Sequence, residues 1–270
     1  MRKLLIVFSL LFSTLLLTGC LPKKSPPGES LLPEPTSPSP KPISETINER
    51  PYVVLLPSDD GHWVTLQIEK IKRGTTGLEY ELTYFADFEG NRIERGVSTG
   101  GKPVELNGAS EYSKKILFGS ASCTTGICKY RYDENVNEGM LVLKLISAAG
   151  IEKFETVFRI QKGKEAKEGL TTGDGVFSFT AGNLSANKLY LTASSIGVPA
   201  NLLEGMVAKS LPYVIFPFPQ AKGEVSFKTV EKEAKIMLLD NQKWQELETA
   251  SSEGILSAQT PKSGIFILVK

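Results

Sequence analysis

The chain has 270 residues, with 31 Lys plus Arg against 30 Asp plus Glu and a formal net charge of +1. That balance gives no basis for nucleic-acid binding, which needs a basic face, and the length suits one large or two ordinary domains. With three cysteines and a single histidine, a zinc centre lacks ligands, so no metal and no cofactor is expected.

The first element is a leader. Met1-Arg2-Lys3 is followed by an apolar run from Leu4 to Leu17, broken only by Ser9, Ser13 and Thr14. A basic start, an apolar stretch and a small-residue end make a secretory signal. The run is short of the ~20 residues that a membrane-crossing helix needs. It ends Leu17-Thr18-Gly19-Cys20, which resembles the lipobox of bacterial lipoprotein precursors, with Thr18 where Ser or Ala is commoner. The resemblance implies cleavage before Cys20, a diacylglyceryl group on the Cys20 thiol, and acylation of the new amino terminus. Two or more acyl chains hold a protein stably on a membrane. Residues 1–19 are thus expected as signal peptide. The mature chain is expected outside the cytoplasm, anchored by lipid to the cell membrane or outer membrane.

Residues 20–51 read as a linker. Nine of the 16 prolines lie between positions 21 and 51, mixed with Ser, Lys and Glu. Such a composition builds no core. Fully extended at ~3.1 Å per residue, it would reach roughly 90 Å.

From Tyr52 the pattern becomes alternating. Val64, Leu66 and Ile68 share one face of "WVTLQIEKI", and Leu78, Tyr80, Leu82 and Tyr84 share one face of "LEYELTYF". Runs at "KKILFGSAS", "GMLVLKLIS" and "KFETVFRI" follow, separated by Gly, Asn and Asp clusters. Period-two alternation with frequent turn signals predicts an antiparallel β-sandwich, here an immunoglobulin-like domain over 52–163. "SDDGH" (58–62) and "DFEGN" (87–91) are predicted turns. Cys123 and Cys128, with Thr124-Thr125-Gly126-Ile127 between them, are expected to form a disulfide, because the compartment permits it.

The glycine-rich, charged stretch 161–175 marks an expected boundary. Beyond it, 164–270 is expected to form a second β-sandwich, so that the fold class is all-β with two sandwiches. "PANLLEGMVAKSL" suits a short helix. "YVIFPFP" suits a buried edge strand or an inter-domain contact. Hairpins are expected at Asp240-Asn241 and at Pro261–Gly264. First-strand residues Phe177 and Phe179, "LLEGMVAKSLPYVIFPF" and the Trp244 strand pair together resemble ZU5-like β-sandwiches. That resemblance implies a packing or interaction module without catalysis.

Catalytic patterns do not converge. "SANK" (Ser185–Lys188) and "KSG" (Lys262–Gly264) are similar to short motifs of penicillin-binding proteins, but "SANK" lies at a turn between strands rather than opening a helix. His62 stands beside Asp59 and Asp60 with no serine in a nucleophile elbow. "DFEGN" has its glycine too early for an EF-hand, and no carboxylate pair is seen to face across a cleft. The chain is therefore read as a non-enzyme. Tyr130 and Tyr132 are either an inward-facing core pair, the favoured assignment, or a sugar-stacking surface. The leading functional expectation is a lipid-anchored surface module for adhesion, scaffolding or envelope assembly. The alternative is a carbohydrate or peptidoglycan binder using Tyr130, Tyr132, Trp63 and Trp244. Expected partners are the membrane, through Cys20, and envelope proteins or glycans.

Overall fold

The computed structural model describes residues 46–270. The expected signal peptide, Cys20 and most of the expected linker lie outside the described residues. Folding starts ahead of residue 52: Ile47 is 7% exposed, and the Leu202 N–H donates to Asn48 Oδ1 at 2.9 Å.

The chain is all-β, as its alternation predicts. The first half supplies β1 (Tyr52–Pro57), β2 (Trp63–Glu69), β3 (Thr75–Phe88), β4 (Asn91–Ser98), β5 (Val104–Glu105), β6 (Tyr112–Leu117), β7 (Gly119–Thr124), β8 (Ile127–Tyr132), β9 (Glu138–Ser147) and β10 (Gly150–Lys162). The second half supplies β11 (Leu170–Thr171), β12 (Phe177–Thr180), β13 (Leu189–Ser194), β14 (Tyr213–Phe216), β15 (Gly223–Lys228), β16 (Lys235–Asp240), β17 (Lys243–Glu246), β18 (Ala250–Ser252), β19 (Ile255–Thr260) and β20 (Ile265–Val269). Every strand pairing is antiparallel.

One ten-stranded sheet runs through both halves in the order β17-β16-β20-β14-β13-β10-β9-β3-β4, with β5 beside β3. It passes the expected boundary without a break, because β10 pairs with β13 from Phe158↔Ala193 to Lys162↔Leu189. Two smaller sheets cover it. Sheet β1-β2-β6 sets Leu55, Leu66 and Ile116 against Leu82, Leu143 and Phe154. Sheet β11-β12-β15-β19-β18 sets Phe177, Phe179 and Phe227 against Tyr213, Ile236 and Phe266.

The two covers lie on opposite faces. Residues paired across a ladder point the same way, so Phe158↔Ala193 and Ala193↔Val214 carry the first core's side along to Val214. Tyr213 and Ile215 then point to the other side, into the second core. A third core joins Val214, Met237, Trp244, Ile265 and Ile267 to Ile47, Tyr52 and Val54. Strand β20 is thereby buried on both faces, which explains its unbroken apolar run.

Three local expectations need correction. No helix forms over "PANLLEGMVAKSL": Gly205 turns at φ +85°, and Val207 exchanges two backbone hydrogen bonds with Lys270, at 2.7 and 2.9 Å. Strand β14 is central, between β13 and β20, and it stops at Phe216 because Pro217 has no N–H for the ladder. Residues 261–264 form no hairpin but pass the chain from β19 in one sheet to β20 in another.

Candidate functional site

The site grows from a hairpin. The turn between β7 and β8 has two residues, Thr125 (φ +49°) and Gly126 (φ +82°), flanked by the Thr124↔Ile127 pair. Two successive positive φ values give the type I′ turn that matches strand twist. Cys123 and Cys128 face each other in register and are joined by a disulfide, with S–S 2.06 Å and Cα–Cα 4.0 Å. Most of the hairpin is exposed, including Ile127 at its tip, which is 72% exposed.

Its base is tied to the large sheet through polar groups. Gly119 approaches Arg131 so closely that a Cβ there would lie 2.1 Å from the Arg131 carbonyl oxygen. The Gly119 N–H donates to Tyr84 Oη at 3.0 Å, and Tyr84 Oη donates to Asp133 Oδ2 at 2.8 Å. Arg95 Nη2 lies 3.4 Å from Asp133 Oδ1, whose side chain is 6% exposed. Burial first, and then Asp133, pushes the Tyr84 hydroxyl well above the usual tyrosine range. Phe88 receives the guanidinium groups of Arg131 at 4.7 Å and Arg95 at 5.5 Å from its ring centre.

Alternation along β8 places Tyr130 and Tyr132 together on the Cys128 face, with Lys129 and Arg131 on the other. The two tyrosines are 46% and 39% exposed, which overturns the core assignment favoured from sequence. Among the described residues, no third strand pairs with this hairpin. Their rings are nearly parallel, 8° apart with centroids at 6.1 Å. His62 stacks on Tyr132 at 3.9 Å and 7°. Trp63 meets Tyr130 edge-on at 5.5 Å, and the Lys115 ammonium sits 4.6 Å from the Trp63 ring centre. Trp63 is thus a buttress for the tyrosine pair. Trp244 takes no part: it is 8% exposed in the third core, its indole N–H donating to the Ala200 carbonyl at 2.9 Å.

His62 was legible from sequence only as a turn residue. The turn itself is built by Asp60, whose Oδ1 accepts from Ser58 Oγ at 2.5 Å and from the His62 N–H at 3.0 Å. Asp60 Oδ2 lies 3.1 Å from His62 Nδ1. The Ser58 and His62 hydrogen bonds lower the Asp60 pKa to about 2.

Beside His62 opens a cleft of about 650 Å³, lined by Asp60, Asp87, Arg92, Asp133, Glu134, Asn135, Asn137, Lys162 and Glu165 among others. Arg92 organises its floor. Its Nη1 donates to the Asn135 carbonyl at 2.9 Å and lies 3.4 Å from Asp87 Oδ1, and its Nη2 donates to Asn137 Oδ1. Asn135 Nδ2 donates to Asp87 Oδ2 at 2.7 Å. The cleft therefore offers carboxylates, carboxamides and cations beside an open aromatic surface. Such a surface is suited to polyhydroxylated ligands. Among the described residues, no group of His, Cys, Asp and Glu is placed to hold a metal ion.

Compared with protein families, curated proteins and solved structures, the chain matches none.

Proposed function

We propose that this protein is a non-catalytic carbohydrate-binding module, exported and held at the cell envelope by lipid on Cys20. The observation that carries the binding reading is the pair of parallel, exposed rings of Tyr130 and Tyr132 on a disulfide-closed hairpin. Aromatic faces stack on the apolar faces of pyranose rings, and the neighbouring carboxylates and amides suit their hydroxyl groups. Peptidoglycan is the envelope glycan such an anchored module would meet first.

The non-catalytic reading is supported by how three of the five carboxylates lining the cleft are used, the exposed Glu134 and Glu165 being the other two. Asp60 holds its own turn, Asp87 holds Asn135 and Arg92, and Asp133 holds Tyr84 and Arg95. A glycosidase instead needs one carboxyl group free to donate a proton and a second free to attack or to activate water. The lipid reading rests on Leu17-Thr18-Gly19-Cys20 and the apolar run before it.

Two experiments test the proposal. Mature protein should co-sediment with purified peptidoglycan, and Tyr130→Ala or Tyr132→Ala should abolish retention while leaving the circular dichroism spectrum intact. Retention unchanged in both variants would leave adhesion or scaffolding through a protein partner as the better reading. Cys20→Ser should leave the chain uncleaved and without lipid, read as a higher mass by the retained leader; membrane fractionation and processing both unchanged would remove the anchor.

A further inference from the structure

A second cleft, of about 500 Å³, lies where β1 and β2 meet the second half of the chain. It is lined by Tyr52 and Glu69 from the first half and by Phe216, Phe218, Gln220, Asn241, Gln242 and Lys262 from the second. It is separate from the aromatic hairpin: His62 precedes β2 and Glu69 ends it, and at ~3.3 Å per residue these positions are about 20 Å apart. We propose that this cleft is a second ligand site, and that it takes an uncharged sugar ring.

The chemistry of its walls selects the ligand. Phe216 and Phe218 pack with centroids at 4.7 Å, and Phe218 keeps 38% of its surface open. This leaves an aromatic face in a concave setting. The lysine is already matched, since Lys262 pairs with Asp240, and the remaining carboxylate, Glu69, accepts from the Gln67 carboxamide through Oε1 at 2.7 Å. Among the described residues that line the cleft, the one cation is thus neutralised, which disfavours a phosphate or other anion. Hydrogen-bonding capacity remains in the exposed neutral carboxamides of Gln220, Asn241 and Gln242. Asn241 and Gln242 are presented by the two-residue turn between β16 and β17, at φ +48° and +63°. A peptide that bound by adding a strand would need a free sheet edge at the aromatic wall. Strand β14, which leads into Phe216, has β13 on one side and β20 on the other. An aromatic face at the end of an interior strand, ringed by neutral amides and beside a neutralised lysine, fits a pyranose.

This site does not depend on the hairpin reading, and the test separates the two. Residues 46–270 labelled with ¹⁵N are titrated with the tetrasaccharides of N-acetylglucosamine, glucose and galactose. At least one should move the side-chain amide signals of Asn241 and Gln242 saturably. Phe218→Ala should weaken that binding about tenfold, the scale of one lost aromatic contact. Tyr132→Ala should leave it unchanged. Gln220→Ala, an exposed position, should also weaken it and guards against a misfolded Phe218 variant. No saturable shift with any of the three sugars, or shifts equal in wild type and both cleft variants, would overturn the second site. Loss of both sets of shifts in Tyr132→Ala would show one site at the hairpin and none here.

Discussion

At the scale of single residues, Asp60 shows how a short turn sets up an aromatic surface. Its carboxylate fixes the His62 backbone, and His62 then covers one face of Tyr132. The Asp60 pKa of about 2 lies below its ordinary value of 3.8. The carboxylate's hold on the turn is therefore complete above 3.8 and is lost as pH falls through about 2. Because Asp60 is exposed, the effect is screened and local, so the readout is the His62 amide shift rather than the melting temperature. Ser58→Ala should raise the midpoint of that titration. Sequence alone identified the turn but not the stack, since nothing local says that residue 62 meets residue 132. The same limit affected Trp244. Its place on a short amphipathic strand is equally compatible with a sugar platform, and it is the distant residues of the third core, with the Ala200 carbonyl, that make it a core residue. Tyr130 and Tyr132 erred in the opposite direction: alternation showed that they share a face, but not that the face lacks a covering layer.

At the scale of elements, the hairpin depends on two constraints of different kinds. Gly119, at φ +144° and against the Arg131 carbonyl, has no room for a side chain. Gly119→Ala should destabilise the protein by about 1–3 kcal/mol, the usual range for forced backbone strain, measured as a lower denaturation midpoint. The disulfide closes a small loop, and on loop-entropy grounds its removal should cost about 2 kcal/mol. Cys123→Ser/Cys128→Ser should therefore speed amide exchange across residues 119–132 most, with the distant β16 and β20 protected as before. The turns at 58–62 and 87–91 were readable in advance because their glycines and short polar residues act locally. "PANLLEGMVAKSL" was not. Its helical spacing of Leu202, Leu203, Met206 and Val207 is real, but its backbone groups find better partners in Asn48 and Lys270.

At the scale of the molecule, the two halves have largely separate cores yet share one sheet. The first core draws Leu191, Ala193 and Ile196 from the second half, and β10 supplies the ladder on which β13 forms. Residues 46–270 should accordingly unfold in one cooperative transition. A fragment of 164–270 should lack dispersed amide signals, since those three apolar residues and the free edge of β13 would face water. Composition and alternation announced strands, but pairing between β10 and β13 is non-local and leaves no mark on either strand alone.

Strand β1 has a mechanical consequence. On the proposed reading, load from a lipid on Cys20 would reach the fold ahead of Tyr52, and load from a glycan at Tyr132 would reach it near Trp63, beyond the opposite end of the same strand. Tension between membrane and ligand would then travel along a backbone that is already extended. It would meet the β1–β2 ladder in shear, from Tyr52↔Glu69 to Pro57↔Val64, so that its rungs resist together instead of opening one at a time. A protein pulled in this way between a moving surface and a fixed polymer would keep its β1–β2 ladder closed at loads that would open a ladder pulled from one end.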